Sequence, residues 1–251
     1  MTNHIQTIQH GAVLEARLNR PEKKNALTGA MYDGISEILQ QASSSNSIRA
    51  VLLTAEGPTF TAGNDLAEFL SISGDFAVSP QGRFVRAITG ATKPIVAAVH
   101  GRAVGIGTTM LLHCDLVYGT PDLKLSTPFV EMGLVPEAGS SLLYPAYIGL
   151  QRATALLLLG ETLDAEAAVA AGLVNAIVPA DELHAHALEK AQALASKAPE
   201  AFAVARRLMR ANRTVLDAQM AEEGEAFARA VRGPEAREAF TAFFEKRKAV
   251  F

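Results

Sequence analysis

Several scarcities narrow the possibilities before any motif is considered. The 251 residues contain one cysteine, Cys114, so neither a disulfide framework nor a cysteine-rich metal site can form within the chain. That residue sits in LLHCDLVY, where a small apolar side chain opening a buried strand is expected. Tryptophan is absent and aromatics make up only 6%, which leaves little material for gripping an aromatic ring. The net charge of −3 argues against broad attraction to nucleic acid or anionic lipid. No apolar run reaches membrane-spanning length. The N-terminal MTNHIQTIQHG lacks the basic segment and apolar core of a signal peptide, and the final Lys248-Ala249-Val250-Phe251 is not a Ser-Lys-Leu-type address. The expectations are no nucleic-acid partner, no membrane partner and a cytoplasmic location.

What is present is a globular composition, 49% apolar and 20% charged. The length suits one large α/β domain or two small ones with a substantial core. Alternating runs at 4–9 and 13–18, separated by His10-Gly11, predict an early hairpin. Thr28 is placed to cap a helix to about Gln41, with Met31, Ile35, Ile38 and Leu39 as its inner stripe. Residues 50–54 and 95–99 read as buried strands. Ser, Gly and Pro mix over 71–82, the expected mobile loop of the first half. A short helix capped by Asp164 and a strand over 173–178 follow, and after Pro179 the pattern is helical. No exact internal repeat appears, although strand–turn–helix recurs loosely at 50–70 and 95–112.

The most informative stretch is 93–139, KPIVAAVHGRAVGIGTTMLLHCDLVYG followed by TPDLKLSTPFVEMGLVPEAG. A β-branched run ends in a glycine-rich turn that opens directly onto an apolar helical pattern. A second buried strand precedes a loop carrying Glu137 between Pro136 and Ala138. Gly63 in FTAGNDL and Gly105 in AVGIG let the backbone approach a ligand closely, and amides at a helix start can hold a negative oxygen. Either turn alone is adequately explained as a tight connection. Together with a nearby carboxylate they are the equipment for enolate chemistry.

The chain resembles the crotonase, or enoyl-CoA hydratase/isomerase, superfamily. The resemblance rests on RPEKKNAL at 20–27, FTAGNDL at 60–66, KPIVAAVHGRAVGIG at 93–107, CDLVYG at 114–119, LLGETLDAEAAVAAGLVNAIVP at 158–179 and FFEKRK at 243–248. It implies an α/β fold, a spiral of repeated ββα units over 1–195, and a helical C-terminal trimerisation region over 196–251. It implies a coenzyme A thioester as substrate, with no further cofactor, and a homotrimer or dimer of trimers. By the same resemblance the thioester oxygen lies between the backbone N–H groups of Asn64 and Ile106, flanked by Gly63, Gly105 and Gly107. Ala62, Asp65 and Leu66 would line the CoA arm, with Lys23 and Lys24 near the CoA phosphates.

The departures from the hydratase pattern decide the expected reaction. Hydratases of the superfamily carry glutamates where this chain has Thr109 and Phe129. Adding water across a double bond needs one carboxylate for the water and one for the α-proton. The segment TPFVEMGLVPEAGSS resembles the Δ3,Δ2-enoyl-CoA isomerases, in which the Pro-Glu glutamate is the base. That resemblance assigns Glu137 a shuttle role between C2 and C4, with Phe129 as a drying wall. Hydratase activity is then expected to be weak or absent. Acyl chain length would depend on 69–88 and on residues near Phe129 and Leu142. The alternatives are a hydratase-like enzyme, another single-acid crotonase acting on a different thioester, and a non-catalytic acyl-CoA-binding member.

Other residues are given structural roles. Glu131 reads as a rim residue, Asp115 as a hydrogen-bonded acid, and His100 and His113 as turn and core histidines. His184 and His186 fall on a polar helix. No metal is expected. Arg206, Arg207, Arg210 and Arg213 form a basic strip that is a solvated face or a contact for CoA phosphates or a neighbouring subunit. Phe243, Phe244, Lys246 and Lys248 match the family segment that reaches toward CoA.

Overall fold

The computed structural model describes residues 4–69, 76–210 and 212–251. In chain order its elements are β1 Ile5–His10, β2 Val13–Leu18, α1 Gly29–Ser44, β3 Ala50–Ala55, α2 Leu66–Phe69, α3 Pro80–Thr89, β4 Ile95–Val99, β5 Arg102–Val104 and α4 Ile106–Thr109. There follow β6 Leu116–Gly119, β7 Lys124–Ser126, α5 Ser140–Ile148, α6 Leu150–Leu157, β8 Leu163–Asp164, α7 Ala165–Ala170 and β9 Ala176–Ile177. Four helices end the chain: α8 Leu183–Ala195, α9 Pro199–Met209, α10 Arg213–Ala230 and α11 Pro234–Phe244. Among the described residues no helix is long and apolar enough to cross a membrane.

The main sheet has the order β1-β2-β3-β4-β6-β9, parallel except for the β1–β2 hairpin. A smaller sheet, β5-β7-β8, stands beside it. Consecutive strands β4 and β5 go one to each sheet, as do β6 and β7, so each turn of the chain adds a strand to both layers. This is the spiral of ββα units expected from the sequence.

The all-apolar character of the central strands follows from burial on both faces. Alternation sends Val51, Leu53, Ile95, Ala97 and Val99 to the side covered by α1 and α3. Ala50, Leu52, Val96 and Ala98 face α8, which supplies Leu183, Ala187 and Ala191. Each such aliphatic side chain is worth about 1.5–3 kcal/mol when fully buried, so a one-residue register slip would move every member to the wrong cluster. Thr28 caps α1 by accepting from the Met31 amide, and Met31, Ile35, Ile38 and Leu39 are buried. A third cluster joins Phe129, Leu134, Tyr144 and Leu156 to Phe227 and Phe240 of the last helices.

Four local expectations change. The turn at 101–105 does not run straight from strand to helix, because β5 intervenes and pairs with β7. The helix after it is one short turn, continued as a 3-10 turn at Met110–His113. The strand expected over 173–178 contracts to Ala176–Ile177, because only there does it pair with β6. Within 71–82, Ser79 accepts from the Gly82 amide and starts α3, with Pro80 in its first turn; the part of that expected loop at 71–75 lies outside the described residues.

Candidate active site

Leu27 forms a parallel bridge with Asn64, in which the amides of Leu27 and Asp65 exchange bonds with Gly63 and Leu27. That pairing turns the intervening Asn64 N–H to the other side, where it donates to no group among the described residues. Gly105 adopts φ 56° as the residue before α4, and its own amide is held by the Ser126 carbonyl at 2.9 Å. The next amide, Ile106, opens the helix and has no carbonyl one turn back to accept it. Gly63 brings the two turns together. Its φ is 85°, and a Cβ there would lie 2.7 Å from the Val104 carbonyl oxygen.

Asn64, Ile106 and Glu137 line one small cavity with Tyr32, Gln81, Val85 and Phe227. The three residues expected to form the reaction centre therefore meet, across 73 residues of sequence. Glu137 is 6% exposed. Its Oε1 accepts from the Thr109 hydroxyl at 2.5 Å, from a side chain itself fully buried. Burial pushes the carboxyl up to about 8, the Thr109 hydrogen bond pulls it part of the way back, and the Glu223 carboxylate adds to the rise. Tyr32 and Tyr144 are pushed up as well, by burial first and by Glu137 second.

The loop that carries Glu137 is pinned from several sides. Ala138 sits in the left-handed region at φ 57° and Gly139 follows at φ 74°. His113 Nε2 donates to the Ala138 carbonyl at 2.7 Å. Burial drives His113 down to about 4, so it is a neutral donor at physiological pH. Glu223, 5% exposed on α10, accepts from the Gly139 amide at 2.6 Å, the Ser141 amide at 2.9 Å and the Ser141 hydroxyl at 2.5 Å. These bonds satisfy amides that the start of α5 would otherwise leave unpaired.

The remaining expected residues fall as follows. Lys23 and Lys24 are exposed around a 3-10 turn, and the Lys24 carbonyl accepts from the Ala62 amide at 2.9 Å, which ties that segment to the 62–66 loop. Asp65 pairs with Arg20 at 2.6 Å, and its other oxygen accepts from the Ala67 amide as the cap of α2. Leu66 packs on the third cluster, and Gly107 stands against Thr61. Phe129 corrects an expectation. It is buried beside Phe227 in that cluster but is not among the residues lining the cavity, where Phe227 and Val85 are the apolar walls. Gln81, Tyr32, Phe227 and Glu223 went unassigned from sequence, since a lone buried polar or aromatic residue on a helix has no distinguishing pattern.

The basic strip is not a solvated face. Arg206 grips Asp115 with two bonds at 2.7 and 3.0 Å and also donates to the Ala91 carbonyl, while Arg210 reaches Asp115 and the His113 carbonyl. Asp115 also accepts from the Ile95 amide, so α9 is fastened to β4 through it. Arg213 pairs with Asp217 and the Thr89 carbonyl, leaving Arg207 exposed. His184, expected on a polar face, bonds Glu15 together with His10. These three are the one group of metal-ligand type among the described residues. Glu15 is already bonded to Arg17 and Thr54, and a guanidinium at that distance opposes a cation.

Two amides without partners among the described residues share one cavity with a buried, weakly acidic carboxyl, an arrangement chemically able to hold a negative oxygen beside a proton carrier. The chain belongs to the enoyl-CoA hydratase/isomerase family: the family model of that description matches residues 8–251. It is 34% identical to Enoyl-CoA delta isomerase 2 of Rattus norvegicus over 83% of this chain, and it spans only 54% of that protein's length. It is 31% identical to a probable enoyl-CoA hydratase of Bacillus subtilis, covering 90% of each. The crystal structure of an enoyl-CoA hydratase/isomerase from Pseudoalteromonas atlantica superposes with a TM-score of 0.95 at 44% identity, over 99% of this chain and 100% of that one.

Proposed function

We propose that this enzyme shifts the double bond of a 3-enoyl-CoA to the trans-2 position, with Glu137 as the only proton carrier. The observation that carries the reading is the pairing of one buried carboxyl, raised to about 8, with the free amides of Asn64 and Ile106. The Glu137 carboxylate takes a C2 proton, and the C3–C4 double bond becomes part of a dienolate whose oxygen accepts from both amides. The same carboxyl returns the proton at C4, leaving the double bond between C2 and C3. The balance needs no cofactor beyond the CoA of the substrate.

Hydration is disfavoured for a physical reason. A second free carboxylate would have to activate water, and Thr109 and Phe129 supply none. Glu223 is buried nearby but its oxygens are committed to Gly139 and Ser141. Phe227 and Val85 keep the cavity apolar, which favours a strong base and excludes competing water. The delta isomerase name of the rat relative points the same way. Exposed Leu208, Met209 and Val215 near the junction of α9 and α10 offer an apolar surface that supports self-association, and a homotrimer or dimer of trimers is what the family resemblance implies.

The test is conversion of a 3-enoyl-CoA by wild type and Glu137→Gln, with hydration of the 2-enoyl ester followed in parallel. The expected result is loss of about a thousandfold or more in kcat with acyl-CoA binding preserved. Isomerisation retained in Glu137→Gln, or hydration by the wild type as fast as isomerisation, sinks the reading.

A further inference from the structure

Gln81 stands in the first turn of α3, after the Ser79 cap and Pro80. It is 7% exposed and lines the same small cavity as Glu137, Asn64 and Ile106. Its side-chain oxygen has no hydrogen-bond partner among the described residues. Its neighbours are paired: Asn64 Oδ1 accepts from the Tyr32 hydroxyl at 2.7 Å, and Glu137 accepts from Thr109. A buried amide left unpaired costs about 1–3 kcal/mol. Nothing in α3 needs an amide at this position, because Leu or Met would have similar length and would pack against Val85 and Phe227.

The location indicates what the amide meets. Gln81 bounds the reaction-centre cavity together with Val85 and Phe227, so acyl carbons beyond C2 that lie against those two apolar walls also lie against its amide. The larger space of about 1040 Å³ between α3 and α10, which Val85 also borders, is lined by Arg86, Arg213, Asp217, Glu225 and Arg229 as well as Met220 and is poorly suited to a hydrocarbon. A plain hydrocarbon chain beside Gln81 would leave its amide oxygen unpaired. A hydroxyl donates to an amide oxygen and accepts from an amide N–H, so it satisfies whichever end of Gln81 faces it.

We propose that Gln81 is a specificity-determining residue that selects acyl-CoA substrates bearing a hydroxyl on the acyl chain, a few carbons beyond the thioester. The inference rests on the reading of this cavity as the acyl thioester site. It does not depend on which bond Glu137 rearranges.

The test uses saturated acyl-CoA esters of one chain length, unsubstituted or with a hydroxyl at C4, C5 or C6. These cannot be isomerised, so calorimetric titration of the full chain reads recognition alone. In the wild type one hydroxy isomer should bind about tenfold more tightly than the unsubstituted ester. That preference should vanish in Gln81→Leu and Gln81→Met, with the unsubstituted ester bound as well or better. Should those variants fail to fold, Gln81→Asn, which withdraws the amide by one methylene, should also lose the preference. Equal wild-type affinity for every ester, the result if a water meets the amide, overturns the inference, as does a preference that survives the substitutions. Failure to bind any acyl-CoA ester would instead bring down the thioester reading itself.

Discussion

The Thr109 hydroxyl donates to the Glu137 carboxylate at 2.5 Å, from a position where the hydratase pattern has a second acid. The residue that stands in place of one of the two hydratase glutamates thus serves as the hydrogen-bond partner of Glu137, a carboxyl outside that pair. The bond favours the charged form of Glu137 and limits a rise caused by burial.

Thr109→Val therefore has a signed consequence. Loss of the donor should move the ascending inflection of kcat/KM, where the base becomes deprotonated, upward from about 8 by roughly one pH unit, or about 1.4 kcal/mol. Activity at pH 7 should fall about tenfold, with partial recovery at higher pH. An unchanged pH profile would separate Thr109 from the basicity of Glu137.

Glu137 should also leave a mark on stability. Its carboxyl is raised to about 8 in the fold from an ordinary 4.5, so the native state keeps a proton that the unfolded chain has released between those values. Its contribution is fully present below pH 4.5, is lost as pH rises toward 8, and stays lost above that. Glu137→Gln removes this titration. Denaturant unfolding should show the variant and the wild type similar at pH 4 and the variant more stable at pH 9, by on the order of 4 kcal/mol. A constant difference across that range would argue against the raised carboxyl.

Glu223→Gln keeps the shape of the clamp on Gly139 and Ser141 while removing its charge and one accepting oxygen. The loop bearing Glu137 should loosen, and the carboxyl should lose a neighbour that raises it. Steady-state kinetics should give kcat lower by about 10–100-fold with little change in KM, and an ascending inflection at lower pH than that of the wild type. A purely structural role would lower thermal stability and leave the inflection where it is.

Asp115→Asn serves as a contrast. It breaks a mostly buried ion pair with Arg206 and weakens the tie between α9 and β4. Equilibrium unfolding should show a loss of about 2–4 kcal/mol, because the guanidinium is left without its charge partner. The pH inflection of activity should not move, since Asp115 is absent from the cavity that holds Glu137.

Much of the site was legible because its parts carry local signatures. Gly63 and Gly105 mark turns only glycine tolerates readily, and Glu137 in a Pro/Gly loop is conspicuous beside them. The Thr28-capped helix and the continuous apolar strands at 50–54 and 95–99 follow from a cap and from short unbroken apolar runs, signals that act over a few residues. The basic strip misled for the converse reason. Spacing alone placed Arg206 and Arg210 on one face, but it could not reveal that Asp115, more than ninety residues earlier, waits opposite them.

By itself the sequence determined an α/β core with a helical end, the glycine turns at Gly63 and Gly105, and Glu137 in a Pro/Gly loop; the spiral and the roles of the Asn64 and Ile106 amides came from the family resemblance. The turns and the loop depend on backbone conformation and on residue identity, which are local. Only the tertiary structure decided that Thr109 donates to Glu137, that Phe227 rather than Phe129 walls the cavity, and that Glu223 holds the loop bearing Glu137 from 84 residues away. It alone places beside them the Gln81 side-chain oxygen, which has no partner among the described residues. Burial and pairing are sums over neighbours brought in from distant parts of the chain, and these neighbours set how basic Glu137 is and what it can meet.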